Sequence, residues 1–565
     1  MPKVVTPSIK ALFKSRSAPA TISDALGENI IIIDYITPGF KLAKAVDKAY
    51  KSKPDALCIV LMNHGLITWA DKAKESYDLT ISLVSIAEEL IKTKAKKEIF
   101  ILPIEQTNLA KERYIKIAPI LRGLLSHKIN TEDSKHTRVI LNPLINDSAL
   151  NFVNSKDTKQ LALSPPVTTD YLIRTKAYPL WIDKIDDTDD VSIRETLSAH
   201  INEYSNNYIA YAKRNLKNVD TVSINSMARV ILIPQIGAIC CAHDSADAKI
   251  VNDITAQNIA VKSDISMLGA FKSITEEEIF EMEYRSYQQA KIIASKDKLL
   301  SRHTAVISGA AGAIGTGIAY ELLKEGCHVA LTDLPGSKLD SLYKELNSEF
   351  KDKVFSTAMD VTNAVSINNA FNAVIETWGG IDIVIINAGI AMVSPLEAID
   401  IKEFRKIEEV NIEGTLLMLS SAGKHFKRQG IGGDIVIIST KNVFSPGASF
   451  GAYSATKAAS HQLGRIASLE MAGYDVRVNM VSPDAVFSHG ERKSGLWETV
   501  GPDRMKARGL DEKGLEDYYR DRNLLKTKVT AKDVGKAVLF FVTRQTPTTG
   551  ATIPVDGGLP DATPR

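Results

Sequence analysis

The sequence has little cysteine, almost no net charge and no long apolar run. Its 565 residues include four cysteines, Cys58, Cys240, Cys241 and Cys327, with no CxxC pair among them. Adjacent cysteines neither bridge without strain nor share a tetrahedral metal, so a disulfide scaffold and a thiolate zinc site are excluded and a reducing, cytoplasmic location is expected. Lysine and arginine number 69 against 67 acidic residues, a formal charge of +2. Such a balance offers no basic face to nucleic acid or to an anionic membrane, which leaves a small molecule as the expected partner. The longest apolar stretch, residues 230–242, is interrupted by Pro234 and Gln235. It falls short of the ~20 residues a spanning helix needs and reads as a buried strand. Lys3, Lys10, Lys14 and Arg16 are followed by no apolar core of signal-peptide length, so secretion is not expected.

What is present is length enough for two domains, each with its own core. From residue 302 onward, short β-branched runs at 303–308, 328–333, 354–359, 381–387, 433–439 and 476–481 alternate with helical patterns at 314–324, 338–346, around Asn411 and at 452–471. This alternation predicts an α/β fold with a doubly wound parallel sheet of seven strands, helices covering both faces, over residues 302–565. Upstream, residues 128–190 are polar, carry a Ser164-Pro165-Pro166 turn and hold no sustained period. They read as a connection between two lobes, 1–130 and 140–298. The runs beginning at Cys58 and Val230 are alike, each ending in a glycine turn and followed by a helical pattern, which suggests a repeat.

The first C-terminal strand ends in Ser308-Gly309-Ala310-Ala311-Gly312-Ala313-Ile314-Gly315. Glycines there let the backbone turn and approach a pyrophosphate above a helix N-terminus. Alone the loop is a weak signal, since any parallel α/β domain uses glycines for close packing. It gains weight from Asp333, 18 residues after Gly315 at the end of the next strand, where a carboxylate accepts hydrogen bonds from ribose hydroxyls and repels a 2′-phosphate. No lysine or arginine stands between Gly309 and Gly315. NAD is therefore expected as cofactor rather than NADP.

Tyr453-Ser-Ala-Thr-Lys457 places a phenol and an ammonium one helical turn apart, on one face. Oxidising an alcohol requires a base for the hydroxyl proton, and a tyrosine of pKa ~10 serves only if nearby positive charge favours its phenolate. The same spacing arises by chance in many helices.

Taken together, residues 309–315, Asp360-Val361, Asn387-Ala388-Gly389, Asn411, Thr440, Tyr453 with Lys457, and Val555-Asp-Gly-Gly558 resemble the short-chain dehydrogenase/reductase family in order and spacing. The resemblance implies a Rossmann-type fold. It assigns catalysis to Asn411, Thr440, Tyr453 and Lys457, with Tyr453 as base and Asn411 holding a water that relays protons to Lys457. It assigns cofactor binding to Ser308, Gly309, Ile314, Gly315, Asp333, Asp360, Val361, Asn387, Ala388, Gly389, Tyr453, Lys457 and Pro483. Two positions depart from the family pattern: Thr440 replaces a serine, with Ser439 one residue earlier, and Ala313 replaces a glycine. Residues 483–526 are polar and aromatic and read as a lid over substrate, where Arg492 and Lys493 could hold a phosphate or carboxylate.

The runs from Tyr35 and from Met62-Asn-His64-Gly resemble the class II aldolase/epimerase family. With Ile173-Arg-Thr-Lys176 and the stretch from Asn479 to Val486, the whole chain is similar to fusions of a rhamnulose-1-phosphate aldolase with a short-chain dehydrogenase. Zinc in such aldolases takes three histidines, yet no histidine precedes His64. Residues 1–298 are accordingly expected to be a truncated aldolase-like region without zinc, His64 being a hydrogen-bonded turn residue. The resemblance implies a homo-oligomer that oxidises a small alcohol or hydroxyaldehyde, lactaldehyde-like or deoxysugar-derived. The alternatives are an additional sugar-phosphate cleavage and a non-catalytic NAD-binding scaffold.

Overall fold

The computed structural model describes residues 22–560 apart from 24–25, 95–102, 130–135, 156–157, 217–223, 269–270 and 286–296. The basic N-terminal residues and part of the expected junction before Arg302 lie outside that set. No described helix is long and apolar enough to cross a membrane, and the four cysteines are buried and form no disulfide.

The chain forms two compact units. One comprises residues 1–114, 142–242 and 247–295; the other comprises 115–141, 243–246 and 296–565. The second unit is thus wider than the 302–565 expected from the strand pattern.

In the second unit, seven parallel strands form one sheet: β1 (Thr304–Ser308), β2 (His328–Asp333), β3 (Val354–Ala358), β4 (Ile383–Ile386), β5 (Gly433–Ile438), β6 (Val476–Pro483) and β7 (Thr552–Val555), in the order β3-β2-β1-β4-β5-β6-β7. Central strands such as β4 and β5 are buried throughout, as a sheet covered on both faces requires. Chain order reverses between β1 and β4, which opens a crevice at the carboxyl ends of those strands, the usual ligand position in such sheets. Helix Ala313–Lys324 leaves β1, and helix Gly451–Met471 packs on the sheet with Tyr453, Lys457, Ser460 and Gly464 on its buried side.

Residues 115–141 join this unit through a buried ion cluster. Asp382, at the entrance to β4, receives Arg122 through Nη1 at 2.8 Å and Nη2 at 2.7 Å. Arg138 Nη1 stands 3.0 Å away, the Thr304 amide donates at 2.9 Å and Gln429 Nε2 at 3.1 Å. Burial pushes the Asp382 carboxyl up, but Arg122 and Arg138 outweigh it and hold the group well below the usual carboxylate range. Nothing in a strand-and-helix pattern announces a partner 260 residues away.

The first unit repeats one motif. Strands Ile59–Leu61 and Gly65–Ile67 form a hairpin followed by helix Ala73–Lys94; strands Val230–Ile233 and Gly237–Ala242 form a second hairpin followed by helix Ser245–Leu268. Asn63 (φ 61°) and Gln235 (φ 66°) take the same left-handed conformation in the two turns. The stretch 230–242 is therefore two antiparallel strands rather than one, because Pro234 and Gln235 form the turn between them. The described part of residues 128–190 holds regular structure that its polarity does not suggest: strand Ile140–Leu144 and helix Asp147–Asn154, capped by the Asn146 side chain.

Candidate active site

At the end of β1 the backbone turns at Gly309 (φ 64°), where an added Cβ would stand 2.9 Å from Ala388 Cα. A Cβ on Gly315 would meet the Gly309 carbonyl oxygen at 2.4 Å, so only glycines let the loop lie this close to the following helix and to the segment after β4. Ala313 opens the helix with ordinary geometry behind the Gly312 N-cap. Ser308 and Asn387 hold the loop from below: Asn387 Nδ2 donates to the carbonyls of Ser308 (3.1 Å) and Gly309 (2.9 Å), and its amide donates to Ser308 Oγ at 3.0 Å.

Asp333, at the tip of β2, accepts from the amides of Ala311 (2.9 Å) and Leu334 (2.8 Å), one on each carboxylate oxygen. Those bonds fix the carboxylate at the loop while leaving lone pairs for hydroxyl donors. Asp360 accepts from the Thr362 amide at 2.9 Å and hydroxyl at 2.7 Å, which sets the turn carrying Val361.

A cavity of about 710 Å³ runs from this loop to the C-terminal helices. Gly309, Ile314, Asp333, Asp360, Val361, Asn387, Ala388, Gly389, Thr440, Tyr453, Lys457 and Pro483 line it. Ser308, Gly315 and Asn411 do not; they support the lining from behind. The volume, the glycine cradle and the fixed Asp333 carboxylate suit a dinucleotide.

At the far side of the cradle, Tyr453 is buried, and burial pushes its phenol up to about 12 while a hydrogen bond from Thr440 pulls the other way. Burial lowers Lys457 to about 8, and its ammonium donates to the Ile438 carbonyl at 2.8 Å. Ser439 is turned away, its Oγ 3.0 Å from His461 Nδ1, so the threonine is the hydroxyl beside the tyrosine.

Asn411 sits in a wide π-type turn, Glu409–Glu413, a feature often found at functional sites. Its Oδ1 accepts from the Ile390 amide (3.0 Å), and its Nδ2 donates to the Ile390 carbonyl (2.9 Å) and to Thr456 Oγ1 (3.0 Å). Its backbone carbonyl accepts the Thr415 and Ser460 hydroxyls. Asn411 therefore ties the segment after β4 to the tyrosine helix.

The residues 483–526 form a small hairpin, Ser488–His489 with Arg492–Lys493, and two helices, Gly495–Arg508 and Glu512–Asp521. Arg492 pairs with Glu345 at 2.7 Å and Lys493 with Glu512 at 2.8 Å, so the two cations singled out from the sequence are engaged elsewhere. Trp497, Tyr518 and Tyr519 do line the cavity, together with Phe450, Arg504, Arg508 and Arg522, which sequence reasoning missed. The spacing of Arg504 and Arg508, one helical turn apart, was the available signal.

Three family matches follow this geometry: short chain dehydrogenase over residues 303–498, aldolase class II second domain over 112–292, and class II aldolase and adducin N-terminal domain over 8–91. The Bacillus subtilis protein named "Uncharacterized oxidoreductase YuxG" is 31% identical over 551 residues, spanning 96% of this chain and 78% of its own. The chain belongs to the family of class II aldolase and short-chain dehydrogenase fusions. Its dehydrogenase part is also similar to L-2,3-butanediol dehydrogenase of Corynebacterium glutamicum, 27% identical over 257 residues (45% of this chain, 97% of that one). D-threitol dehydrogenase of Mycolicibacterium smegmatis is 29% identical over 219 residues (39% and 83%).

In the aldolase-like part of the fusion, His64 occupies the turn position matched by Ile236 in the second hairpin. Its amide donates to the Leu61 carbonyl at 3.0 Å, while its buried Nδ1 has no hydrogen-bond partner, so the turn is held by backbone rather than by the imidazole. Among the described residues no three His, Cys, Asp or Glu side chains gather as a metal site would require. Lys176 is buried with its ammonium 4.3 Å from the Tyr208 ring and bonded to the Asn225 carbonyl, a structural role within that unit.

Proposed function

We propose that the second unit oxidises the hydroxyl of a small alcohol or hydroxyaldehyde, lactaldehyde-like or deoxysugar-derived, with NAD as acceptor and Tyr453 as base. The observation that carries this reading is the single cavity joining the Gly309 loop and Asp333 to Tyr453, Thr440 and Lys457.

Gly309, Ile314 and Gly315 form the pyrophosphate cradle, Asp333 receives the adenosine ribose, Asp360 and Val361 flank adenine, and Asn387, Ala388, Gly389 and Pro483 border the nicotinamide end. Ser308 acts through Asn387. Bound NAD supplies the acceptor for the hydride that leaves the carbinol carbon. Tyr453 takes the hydroxyl proton as the carbon–oxygen double bond forms, and Thr440 donates to the substrate oxygen. Lys457, protonated below about pH 8, favours the phenolate and bonds the nicotinamide ribose. Asn411 keeps Gly389 and the tyrosine helix in register. The Asp333 carboxylate favours NAD over NADP by repelling a 2′-phosphate.

The reading includes a cytoplasmic homo-oligomer. Leu416, Ile466 and Leu469, exposed on helices Gly414–Gln429 and Gly451–Met471, support an interface there. A screen for NADH formation with lactaldehyde, glycols, hydroxy acids and deoxysugars tests the activity, with Tyr453→Phe run beside it. Equal turnover in the variant overturns the catalytic assignment.

A further inference from the structure

The substrate end of the cavity is ringed by guanidinium groups that the reaction described above does not use. Arg504 lies over the Phe450 ring, its Cζ 4.0 Å from the centroid, and Phe450 is 6.1 Å from the Tyr453 ring in an edge-on contact. One turn further along the same helix, Arg508 lies 4.8 Å over Tyr518. Arg522 lies 4.1 Å over Tyr519 and pairs with Asp484. Tyr519 in turn packs on Trp497 at 4.9 Å. All three arginines border the cavity that holds Tyr453.

Among the described residues neither Arg504 nor Arg508 is paired with a carboxylate. Arg504 makes one long hydrogen bond, 3.3 Å to the Ala448 carbonyl, and its buried Nε and that of Arg522 have no partner. The acidic residues lining the cavity are Asp333 and Asp360 beside the glycine loop and Asp484, already held by Arg522. Three like charges crowd one wall against a single anion, an arrangement that costs energy until something negative enters. Burial lowers the pKa of the Arg504 guanidinium; Tyr519 and Tyr518 pull it up, while the neighbouring Arg508 and Arg522 add smaller downward pushes. The aromatic rings beneath fix each planar fork, leaving its N–H edges for a ligand.

We propose that the substrate carries an anionic group, a phosphate ester or a carboxylate, a few bonds from the reacting carbinol, and that Arg504 and Arg508 bind it with Arg522 behind them. The inference rests on the dehydrogenase reading and narrows its substrate class. The Asp333 carboxylate keeps such an anion away from the adenosine end, so charge sorts substrate from cofactor within one cavity. Bidentate contact from two forks suits either an oxyanion of phosphate or a carboxylate.

The test uses the full chain and three compounds of one carbon skeleton: glycerol, glycerate and glycerol 3-phosphate. Calorimetric titration is expected to give at least 100-fold tighter binding of one of the two anions than of glycerol, weakened about tenfold by raising salt from low to moderate strength. The preferred anion separates the carboxylate source from the phosphate source. Arg504→Met and Arg508→Met should each cost tenfold or more in that binding, and Arg492→Met, remote and paired with Glu345, should not change it. Thermal midpoints confirm that the variants are folded. Equal binding of glycerol and both anions overturns the proposal, as does anion binding that survives both arginine variants, which would belong to the glycine loop. Arginine-dependent binding with no NADH formation from any compound would uphold the anion site and overturn the dehydrogenase reading instead; NADH formation with equal preference for all three would do the reverse.

Discussion

The Ser245 amide donates to Nε2 of His328 at 3.2 Å, and the other ring nitrogen of His328 faces the His303 carbonyl at 3.3 Å. An imidazole that accepts at one nitrogen and donates at the other must be neutral. His425 is in the same state, accepting from the Ile381 amide at 2.9 Å. Burial lowers His328 and His425 to about 4 and His303 to about 3. In the unfolded chain each titrates near 6.5. Between pH 6.5 and about 4 the unfolded state thus binds protons that the folded state refuses, so stability falls as pH falls through that window, by up to about 1.4 kcal/mol per unit for each histidine. Urea unfolding at pH 7 and pH 5 should show a clearly lower midpoint at pH 5; equal midpoints would contradict the neutral assignment.

Tyr453→Phe removes the proposed base and keeps the ring in its place against Phe450. A loss of about 100- to 10,000-fold in kcat is expected, with NADH affinity, read by fluorescence, changed by less than threefold. Because burial holds the phenol up to about 12 in the free protein, alcohol oxidation in the native enzyme should speed up from pH 6 towards pH 8. A flat profile together with a slow chemical step would argue against a tyrosine base.

Asp333→Asn leaves the hydrogen bonds to Ala311 and Leu334 possible through one amide oxygen only and removes the charge facing the ribose. The KM for NAD should rise about tenfold while that for NADP falls, narrowing the preference between them. An unchanged ratio would mean that Asp333 does not face the adenosine ribose.

Arg122→Met strips Asp382 of its bidentate partner in a site without solvent. The expected cost is about 3–5 kcal/mol, since the carboxylate stays buried with Arg138 off-axis and only neutral donors beside it. Denaturant unfolding measures it, and a loss below 1 kcal/mol would show the pair to be dispensable.

The strands and helices of the dehydrogenase unit were legible because their burial pattern repeats within a few residues. β2 occupies residues 328–333 as read, and the tyrosine helix begins one residue earlier than the pattern gave. The cavity lining was legible wherever a motif fixes a backbone shape, as at Gly309, or a side chain at a strand end, as at Asp333. Arg504, Arg508 and Arg522 were not, because arginines on a polar helix such as Gly495–Arg508 are ordinarily solvated and only the fold decides whether their face meets a cavity. Arg492 and Lys493 looked equivalent in sequence and proved to be occupied by Glu345 and Glu512. Ser439 and Thr440 likewise differ by one position, and the extended backbone sends the first to His461 and the second to Tyr453. The hairpin at 230–242 was hidden because its short turn, with Gln235 exposed and Pro234 half-buried, contributes too few polar residues to break the apolar run.

The membership of residues 115–141 in the dehydrogenase unit bears on how such fusions can be recombined. Grafting a different dehydrogenase onto this chain at the apparent seam near residue 300 would discard Asp382 and strand Arg122 and Arg138 as two buried, uncompensated cations. A transplant that carries residues 115–141 with the sheet would keep charge balance intact. The boundary between the aldolase-like and dehydrogenase family matches and the boundary between the two compact units are therefore different places in this sequence.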